Sequence, residues 1–280
     1  VCMQQIAPDV FIETAYEGVT LGVIHQKHGL ILIDAPFYPD DIRSWRSVLT
    51  NMGGGVNPLL VNLDIHYDRT IGSRSMDCTI VTHEEVAQSF RERPVSMKSQ
   101  YLVTGAEWEM YEGIGSIRWS PPEISFTQSM QIFWDDKPVI LEYHPGPAPG
   151  AIWVILPEQG VVFLGDCVVS QQPPFLAEAD LPMWVQTLNY LLASEYRDAV
   201  LVSGRSGLVT LSNVREQLQY LEKVHEMLES LMKRKAPPSE TERLISELMA
   251  KMKYSDQYFR TDFERRVQGN FAGTVQSSGF

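Results

Sequence analysis

Cysteine is scarce in this sequence. Among 280 residues there are three cysteines, Cys2, Cys78 and Cys167, which lie far apart and form no C-x-x-C pair. This usage argues against a disulfide framework and against a zinc site built from thiolates. Because it fits a reducing compartment best, we expect a cytoplasmic protein.

Positive charge and long apolar runs are also in short supply. The chain has 23 Lys and Arg against 35 Asp and Glu, which gives a net charge of −12. An acidic chain without a basic stripe predicts no binding to nucleic acid or to an anionic membrane surface. No apolar run approaches the length of a membrane span, and the first residues do not have the pattern of a signal peptide. A leader removed before Val1 stays open as an alternative.

The hydrophobic pattern alternates between strands and helices in two halves. Strand patterns fill residues 10–34 and 123–165, with further short strands near 58–63, 78–81 and 199–202. Helix patterns cover 40–51, 82–90 and 181–193, and the chain is helical from about Leu211. No internal repeat or low-complexity linker divides the chain. We therefore predict an α/β protein with one main domain over residues 1–235.

The C-terminal part predicts helices with one apolar face. An apolar stripe begins at Leu211, and Pro237 and Pro238 interrupt the pattern. We interpret residues 236–280 as a helical extension that packs on the same domain. The stripe either covers its own domain or pairs between two chains, so a homodimer through the C-terminal helices stays possible.

A short polar stretch, Asp64–Arg69, follows a buried strand pattern. Asp64, His66 and Asp68 alternate along it, so an extended backbone would point all three side chains the same way. Two carboxylates and an imidazole that converge at a strand end are typical metal ligands. The alternative is a polar loop that contains a histidine by chance.

The stretch resembles the H-x-H-x-D-H signature of the metallo-β-lactamase superfamily, although here it reads D-I-H-Y-D-R. Three later segments strengthen the resemblance. Residues 143–154 are similar to the family's P-G-H-T-P-G segment, with Pro147 in the position of a metal-binding His. The hairpin ending in Gly165-Asp166 is similar to the family's G-D hairpin, and residues 202–207 resemble its P-G-H-G turn, with Arg205 in the His position. The resemblance implies a four-layer αβ/βα sandwich of two mixed sheets with C-terminal helices.

The resemblance also implies where two metal ions would bind in a typical member. The three positions for the first metal are Asp64, His66 and Pro147 here, and those for the second are Asp68, Arg69 and Arg205. Asp166 takes the place of the carboxylate that bridges the two ions, and Asp34 resembles a carboxylate that supports the ligands. Proline has no donor atom, and arginine carries a permanent positive charge without a lone pair. We therefore predict that the dinuclear centre is lost and that no cofactor is bound.

Loss of two cations would leave buried carboxylates without compensation, which is energetically costly. We predict that Arg69 and Arg205 form an ion-pair network with Asp64, Asp68 and Asp166 in the vestigial site, to which no catalytic residue is assigned. The favoured function is a pseudoenzyme or a small-ligand-binding protein. A weak anionic ligand near Arg69 and Arg205 is plausible, beside an aromatic-rich segment that contains Trp108, Tyr111 and Trp119.

The alternative interpretation is an enzyme. If the two arginines face solvent, a single zinc or other divalent ion could bind Asp64, His66 and Asp166, with His144 as a possible displaced ligand. Such a protein would be a metallo-β-lactamase-like hydrolase of an ester, thioester, phosphodiester or lactam. The remaining histidines, His25, His28, His83 and His225, are expected on the surface.

Overall fold

The computed structural model describes residues 3–53, 57–92, 105–113, 118, 120–234, 240, 248 and 264–270. A first sheet of seven strands follows the chain order, and its strands are β1 (Gln4–Ala7), β2 (Val10–Glu13), β3 (Leu21–Gln26), β4 (Gly29–Ile33), β5 (Leu59–Val61), β6 (Thr79–His83) and β7 (Ile124–Phe126). Strands β1 to β4 pair antiparallel, and β4 to β7 pair parallel.

A second sheet of six strands uses the later part of the chain. Its strands are β8 (Ser129–Ile132), β9 (Val139–Tyr143), β10 (Ile152–Leu156), β11 (Val161–Gly165), β12 (Val200–Ser203) and β13 (Gly207–Val209), in the spatial order β13-β12-β11-β10-β9-β8. The β11–β12 pair is parallel and the other pairs are antiparallel. The α-helices are α1 (Pro39–Asn51), α2 (Tyr67–Thr70), α3 (Glu84–Glu92), α4 (Leu181–Ala193) and α5 (Leu211–Lys233), and residues 264–270 are also helical.

The two sheets pack face to face, with helices on both outer sides. Ile24 and Ile33 of the first sheet meet Leu141 and Phe163 of the second in one buried cluster. On the far side of the first sheet, Trp45 of α1 is fully buried in a second cluster. Helices α4 and α5 cover the outer face of the second sheet. This arrangement is the predicted four-layer sandwich, and the prediction is confirmed.

The apolar stripe of α5 packs against its own chain. Val214, Leu221 and Val224 belong to the cluster that covers the second sheet, and Thr210 caps the helix through Asn213. Leu248 and Val267 join the same cluster, so these two C-terminal residues pack with α4 and α5.

Most of the predicted elements are observed, with differences at their ends. The strands and helices between residues 10 and 92 and the helix at 181–193 lie where the pattern placed them. Strands β1 and β13 were missed, because each is an edge strand of three or four residues with no long alternating pattern. None of the described helices has the length and apolarity needed to cross a bilayer.

Candidate functional site

The candidate site lies where strands of both sheets end. In the first sheet, Asp34 comes directly after β4, and Asp64 lies three residues after the end of β5. In the second sheet, Asp166 comes directly after β11, and Arg205 lies two residues after the end of β12. Because β4 and β5 are parallel, as are β11 and β12, the carboxyl ends of each pair lie at the same sheet edge. The sandwich thereby brings together residues that are far apart in the sequence.

The segment after β5 turns instead of continuing as a strand. Asp64 lies in a bend, and Asp68 and Arg69 lie in the short helix α2, so the predicted extended alternation is wrong. Asn62 holds the turn, because its Nδ2 donates to the carbonyl of Arg69 over 2.9 Å and its Oδ1 accepts from Ser73 Oγ over 3.1 Å. The helical turn allows Arg69 to point into the protein.

Arg69 is a fully buried cation with three carboxylate partners. Its Nη1 lies 3.2 Å from Asp34 Oδ2, and its Nε lies 3.2 Å from Asp64 Oδ1. Its Nη2 donates to Asp166 Oδ1. The side chains of all four residues are at most 2% exposed. Each nitrogen-bearing edge of the guanidinium therefore faces a carboxylate.

Arg205 takes the remaining oxygen of Asp166. Its Nε donates to Asp166 Oδ2 over 2.7 Å, and its Nη2 donates to Asp68 Oδ2 over 2.7 Å. Its Nη1 donates to the carbonyl of Gly18 over 3.1 Å, and its side chain is 1% exposed. The two carboxylate oxygens of Asp166 are thus divided between two guanidiniums.

Gly204 makes room for this arrangement. A Cβ atom at position 204 would lie 2.6 Å from Arg69 Nη1 and 2.9 Å from Arg69 Nη2. Both distances are shorter than any normal contact, so a larger residue would displace the guanidinium. Glycine at position 204 is therefore required by the position of the Arg69 guanidinium.

His66 sits at the edge of the network. Its Nδ1 lies 3.0 Å from Asp64 Oδ1 and 3.2 Å from Asp166 Oδ2, and its side chain is 14% exposed. Burial alone would lower the pKa of His66, but the two carboxylates outweigh burial and raise it. The two carboxylates therefore favour the protonated form of His66.

The pKa values of the buried carboxylates shift in different directions. Burial disfavours the charge of Asp166, but Arg205 and Arg69 outweigh burial and hold its pKa well below the usual range. Asp34 has the opposite balance, because burial raises its pKa to about 7 against the opposing effect of Arg69. Burial also raises the pKa of Asp68, with Arg205 only partly offsetting it. The network therefore contains carboxylates that resist protonation and carboxylates that accept a proton easily.

Three further residues complete the site and were missed in the sequence. Arg266, in the helical segment 264–270, lies with its Nη2 2.9 Å from Glu107 Oε1, and Glu107 Oε2 lies 3.8 Å from Arg205 Nη1. The Phe175 ring is stacked between Arg205 and Arg266, whose Cζ atoms lie 4.3 and 4.2 Å from the ring centre. No motif spacing joins these residues, and their only shared signal is a charged or aromatic side chain.

Comparison with known proteins identifies the fold. No family model matches the sequence, and no curated protein does. Among solved structures, a metallo-beta-lactamase family protein from Thermus thermophilus is similar at 18% identity and a TM-score of 0.67, over 98% of this chain and 95% of that one. A metallo-beta-lactamase from Pontibacter korlensis is similar at 19% identity and a TM-score of 0.63, over 79% of this chain and 98% of that one.

The chain has the metallo-β-lactamase fold. The fold was predicted from the four motif segments, and the comparison confirms it. At identities below one fifth, the similarity establishes the architecture, and the chemistry of the site must be argued from its own residues.

Within this metallo-β-lactamase fold, one group of side chains could hold a metal ion. Among the described residues, Asp64, His66 and Asp166 each offer a ligand atom, and these atoms lie within 4.8 Å of one another. Pro147 is buried near the second sheet and has no donor atom. The group is thus one histidine and two carboxylates.

His144 is not part of this group. Its ring stacks on Trp153 with 3.6 Å between the ring centres, and its Nε2 lies 3.2 Å from Glu142 Oε2. Burial lowers the pKa of His144 to about 4, so the ring is neutral at physiological pH. His144 lies outside the group of Asp64, His66 and Asp166, and its role as a displaced ligand stays a prediction.

Other predictions for the surroundings of the site have mixed outcomes. Trp108 is buried beside Tyr67, with ring centres 4.8 Å apart, and Tyr111 contacts Tyr38, whereas Trp119 lies outside the described residues. His83 was expected on the surface but is 4% exposed, because it stacks on Tyr143 and its Nε2 contacts the carbonyl of Thr127.

Proposed function

We propose that this chain is a non-catalytic metallo-β-lactamase-fold protein in which an Asp/Arg ion-pair network has replaced the dinuclear metal centre. One observation carries the proposal: Arg69 and Arg205 each donate to a different oxygen of Asp166. A carboxylate that bridged two metals would have to offer those same oxygens to the ions. The network and a metal pair therefore compete for the same atoms.

The donor set also fits a dinuclear centre poorly. Of the seven positions at which the family resemblance implies metal ligands, two hold arginine and one holds proline. A guanidinium has no lone pair to give, and its positive charge repels a divalent cation bound beside it. With Arg69 and Arg205 in place, the carboxylates are already compensated by positive charge that cannot be lost by deprotonation.

The raised pKa of His66 supports the same proposal. A histidine binds a metal, or acts as a general base, only through a neutral nitrogen. Asp64 and Asp166 raise the pKa of His66 and favour the charged imidazolium. Arginine can stabilise an oxyanion, but only a bound metal lowers the pKa of water to about 7. Without a metal ion, the site would have no means of generating hydroxide at neutral pH.

The predicted anionic ligand near Arg69 and Arg205 stays a proposal with a clear condition. Arg69 contacts three carboxylates, and Arg205 contacts two carboxylates and a backbone carbonyl. An anion could reach either guanidinium only by displacing one of these acceptors. We expect such binding to be weak at neutral pH. The scarcity of cysteine supports our further proposal of a cytoplasmic location.

A second candidate function is a hydrolase with one metal ion. It is favoured by the group of Asp64, His66 and Asp166 and by Asp64 Oδ2, a buried oxygen without a hydrogen-bond partner among the described residues. Metal binding at these three residues would require a neutral His66 and the release of at least one arginine from Asp166. The two candidates therefore differ in whether the arginines or a metal hold Asp166.

Elemental analysis and an activity panel would separate the two functions. The protein is purified without added metal and assayed with lactam, thioester, phosphodiester and lactone substrates, with and without zinc or manganese. We expect no stoichiometric metal and no turnover that depends on metal. Turnover that disappears on chelation, returns with metal and is lost in Asp166→Asn would favour the hydrolase. Arg43→Met, at an exposed position of α1, is the matched control.

A further inference from the structure

A cavity lies between α5 and the loop that follows β11, apart from the vestigial site. Its volume is about 360 Å³, and Ser170, Gln172, Glu216, Gln217 and Tyr220 are among the residues that line it. Small-molecule sites in proteins have volumes of roughly 300–1,000 Å³. The cavity therefore has the size of a site for a small ligand, and none of the implied metal-ligand positions lines it.

One buried donor of the cavity has no partner in the described part of the chain. Gln217 is 4% exposed, and its Oε1 accepts from the backbone N–H of Val169 over 3.4 Å. Its Nε2 makes no hydrogen bond to any described residue. A buried donor without a partner is costly, and such a group often marks the place of a ligand or a water. A ligand that offers an acceptor at this point would remove the cost.

Two further side chains of the lining offer one donor group and one acceptor group. Gln172 Oε1 accepts from Arg266 Nη1 over 2.6 Å, so the NH₂ of Gln172 is the group that it can offer to a ligand. Glu216 Oε1 accepts from Ser212 Oγ over 3.3 Å, and a carboxylate has room for several more hydrogen bonds. The cavity therefore suits a ligand that both accepts and donates hydrogen bonds.

The charges of the lining favour an uncharged ligand. Among the described residues, the charged side chains that line the cavity are Glu216 and Lys223, one of each sign. The ammonium of Lys223 already takes part in an interaction, and the Glu216 carboxylate would repel an anion. A cation would in turn be repelled by Lys223. Neither sign of charge is therefore selected here.

Hydrogen bonds fix the loop that forms one wall of the cavity. Ser206 Oγ accepts from the backbone N–H of Ser170 over 2.9 Å, and Ser170 Oγ accepts from Asn213 Nδ2 of α5 over 3.1 Å. Further along the loop, the Pro174 carbonyl accepts from Asn270 Nδ2 over 2.6 Å. A site that is already held in shape loses less conformational freedom when a ligand binds. The wall is therefore preorganised.

We propose that this cavity binds an uncharged polyhydroxylated ligand of about the size of a monosaccharide. A hydroxyl group both donates and accepts, so neighbouring hydroxyls can accept from Gln217 and Gln172 while they donate to Glu216. Tyr220 and Leu248 offer apolar surface for the C–H face of a sugar ring. Because most of the lining side chains are polar, a ligand with polar groups on several sides fits better than an apolar body with one polar end. The proposal does not depend on whether the vestigial site is free of metal.

The test titrates the full chain with polyols and matched probes, and ¹H–¹⁵N NMR follows the side-chain amides. The polyols are glucose, galactose, mannose and myo-inositol, and cyclohexanol has a ring of the same size with a single hydroxyl. Glucuronate adds a negative charge to glucose, and nicotinamide is an uncharged ligand whose acceptor is an amide. We expect saturable shifts of the Gln172 and Gln217 amides with at least one polyol, and weaker binding of cyclohexanol, glucuronate and nicotinamide.

Three variants assign the binding to this cavity. Gln217→Met should weaken the polyol about five- to tenfold, which is the loss of one hydrogen bond between uncharged groups. Glu216→Met should weaken it at least about tenfold, because hydrogen bonds to a charged acceptor are stronger. Glu222→Met, at another exposed glutamate of α5 that does not line the cavity, is the matched control and should leave binding unchanged.

The exposed position of Glu216 keeps the test decisive. If Gln217→Met fails to fold, Glu216→Met and its control decide alone. The proposal would be overturned by the absence of a saturable shift with every polyol, or by unchanged affinity in Glu216→Met. Binding of cyclohexanol, glucuronate or nicotinamide as tight as that of the best polyol would also overturn it.

Discussion

Replacement of Arg205 by methionine is the sharpest single perturbation of the network. The substitution keeps an unbranched side chain but removes the hydrogen bonds to Asp166 and Asp68 and the contact with Phe175. Asp68 loses the most hydrogen bonding, because its Oδ2 loses Arg205 and its Oδ1 has no hydrogen-bond partner among the described residues. A buried carboxylate would then lack compensation.

The expected cost follows from that uncompensated charge. Removal of one partner from a buried ion pair typically costs about 3–5 kcal/mol. For a chain of this size, that loss corresponds to a fall in melting temperature of roughly 6–20 °C. Thermal and urea denaturation followed by circular dichroism would measure it. Arg215→Met, at an exposed position of α5 with one long contact to the Leu211 carbonyl, should change stability by less than about 0.5 kcal/mol.

The pH dependence and a double variant identify the cause. Without Arg205, the pKa of Asp68 should rise further above its unfolded value, so the deficit should shrink as pH falls and Asp68 becomes neutral. Asp68→Asn combined with Arg205→Met should be more stable than Arg205→Met alone, because it removes the unpaired charge. A loss below about 1 kcal/mol for Arg205→Met, or the same loss at every pH, would refute the buried network.

Three further predictions concern other parts of the molecule. Because burial raises the pKa of Asp34 to about 7 from an unfolded value near 3.8, ionisation of Asp34 weakens the fold as pH rises through that range. In urea titrations, the stability of Asp34→Asn relative to wild type should therefore be greater at pH 8 than at pH 5. A pH-independent difference would contradict this assignment. Gly22→Ala should lose about 1–3 kcal/mol, since its Cβ would lie 2.6 Å from Phe163 Cε1 between the two sheets, and an unchanged urea midpoint would mean that the sheets pack less closely there. Light scattering would test the homodimer through the C-terminal helices, and a monomeric mass at all concentrations would exclude it.

Much of the fold was predictable because its signals are local. The alternation of β2 to β4 and the apolar stripe of α5 follow from periodicities that one face of a sheet or helix imposes. The G-D hairpin and the turn before Arg205 carry recognisable patterns even where this sequence departs from the family signature. Strands β1 and β13 escaped prediction because three or four residues at a sheet edge carry too little pattern.

The inner part of the site was also predictable, but its outer part was not. Arg69 and Arg205 occupy motif positions beside carboxylates, so charge compensation indicated that both would turn inward. Glu107 and Arg266 are 159 residues apart, and Arg266 comes from a helical segment with no motif. Such contacts depend on how the C-terminal helix packs against the loop at Phe175, which no local spacing reveals.

The most direct test of the central claim is a calorimetric zinc titration of the wild-type protein at neutral pH, with Asp166→Asn titrated alongside. If Arg69 and Arg205 have replaced the metal centre, neither protein should show stoichiometric zinc binding, and zinc should not raise the melting temperature of the wild type. Tight binding of one or two zinc ions to the wild type that is lost in Asp166→Asn would contradict the account. It would mean that a metal displaces the arginines from Asp166.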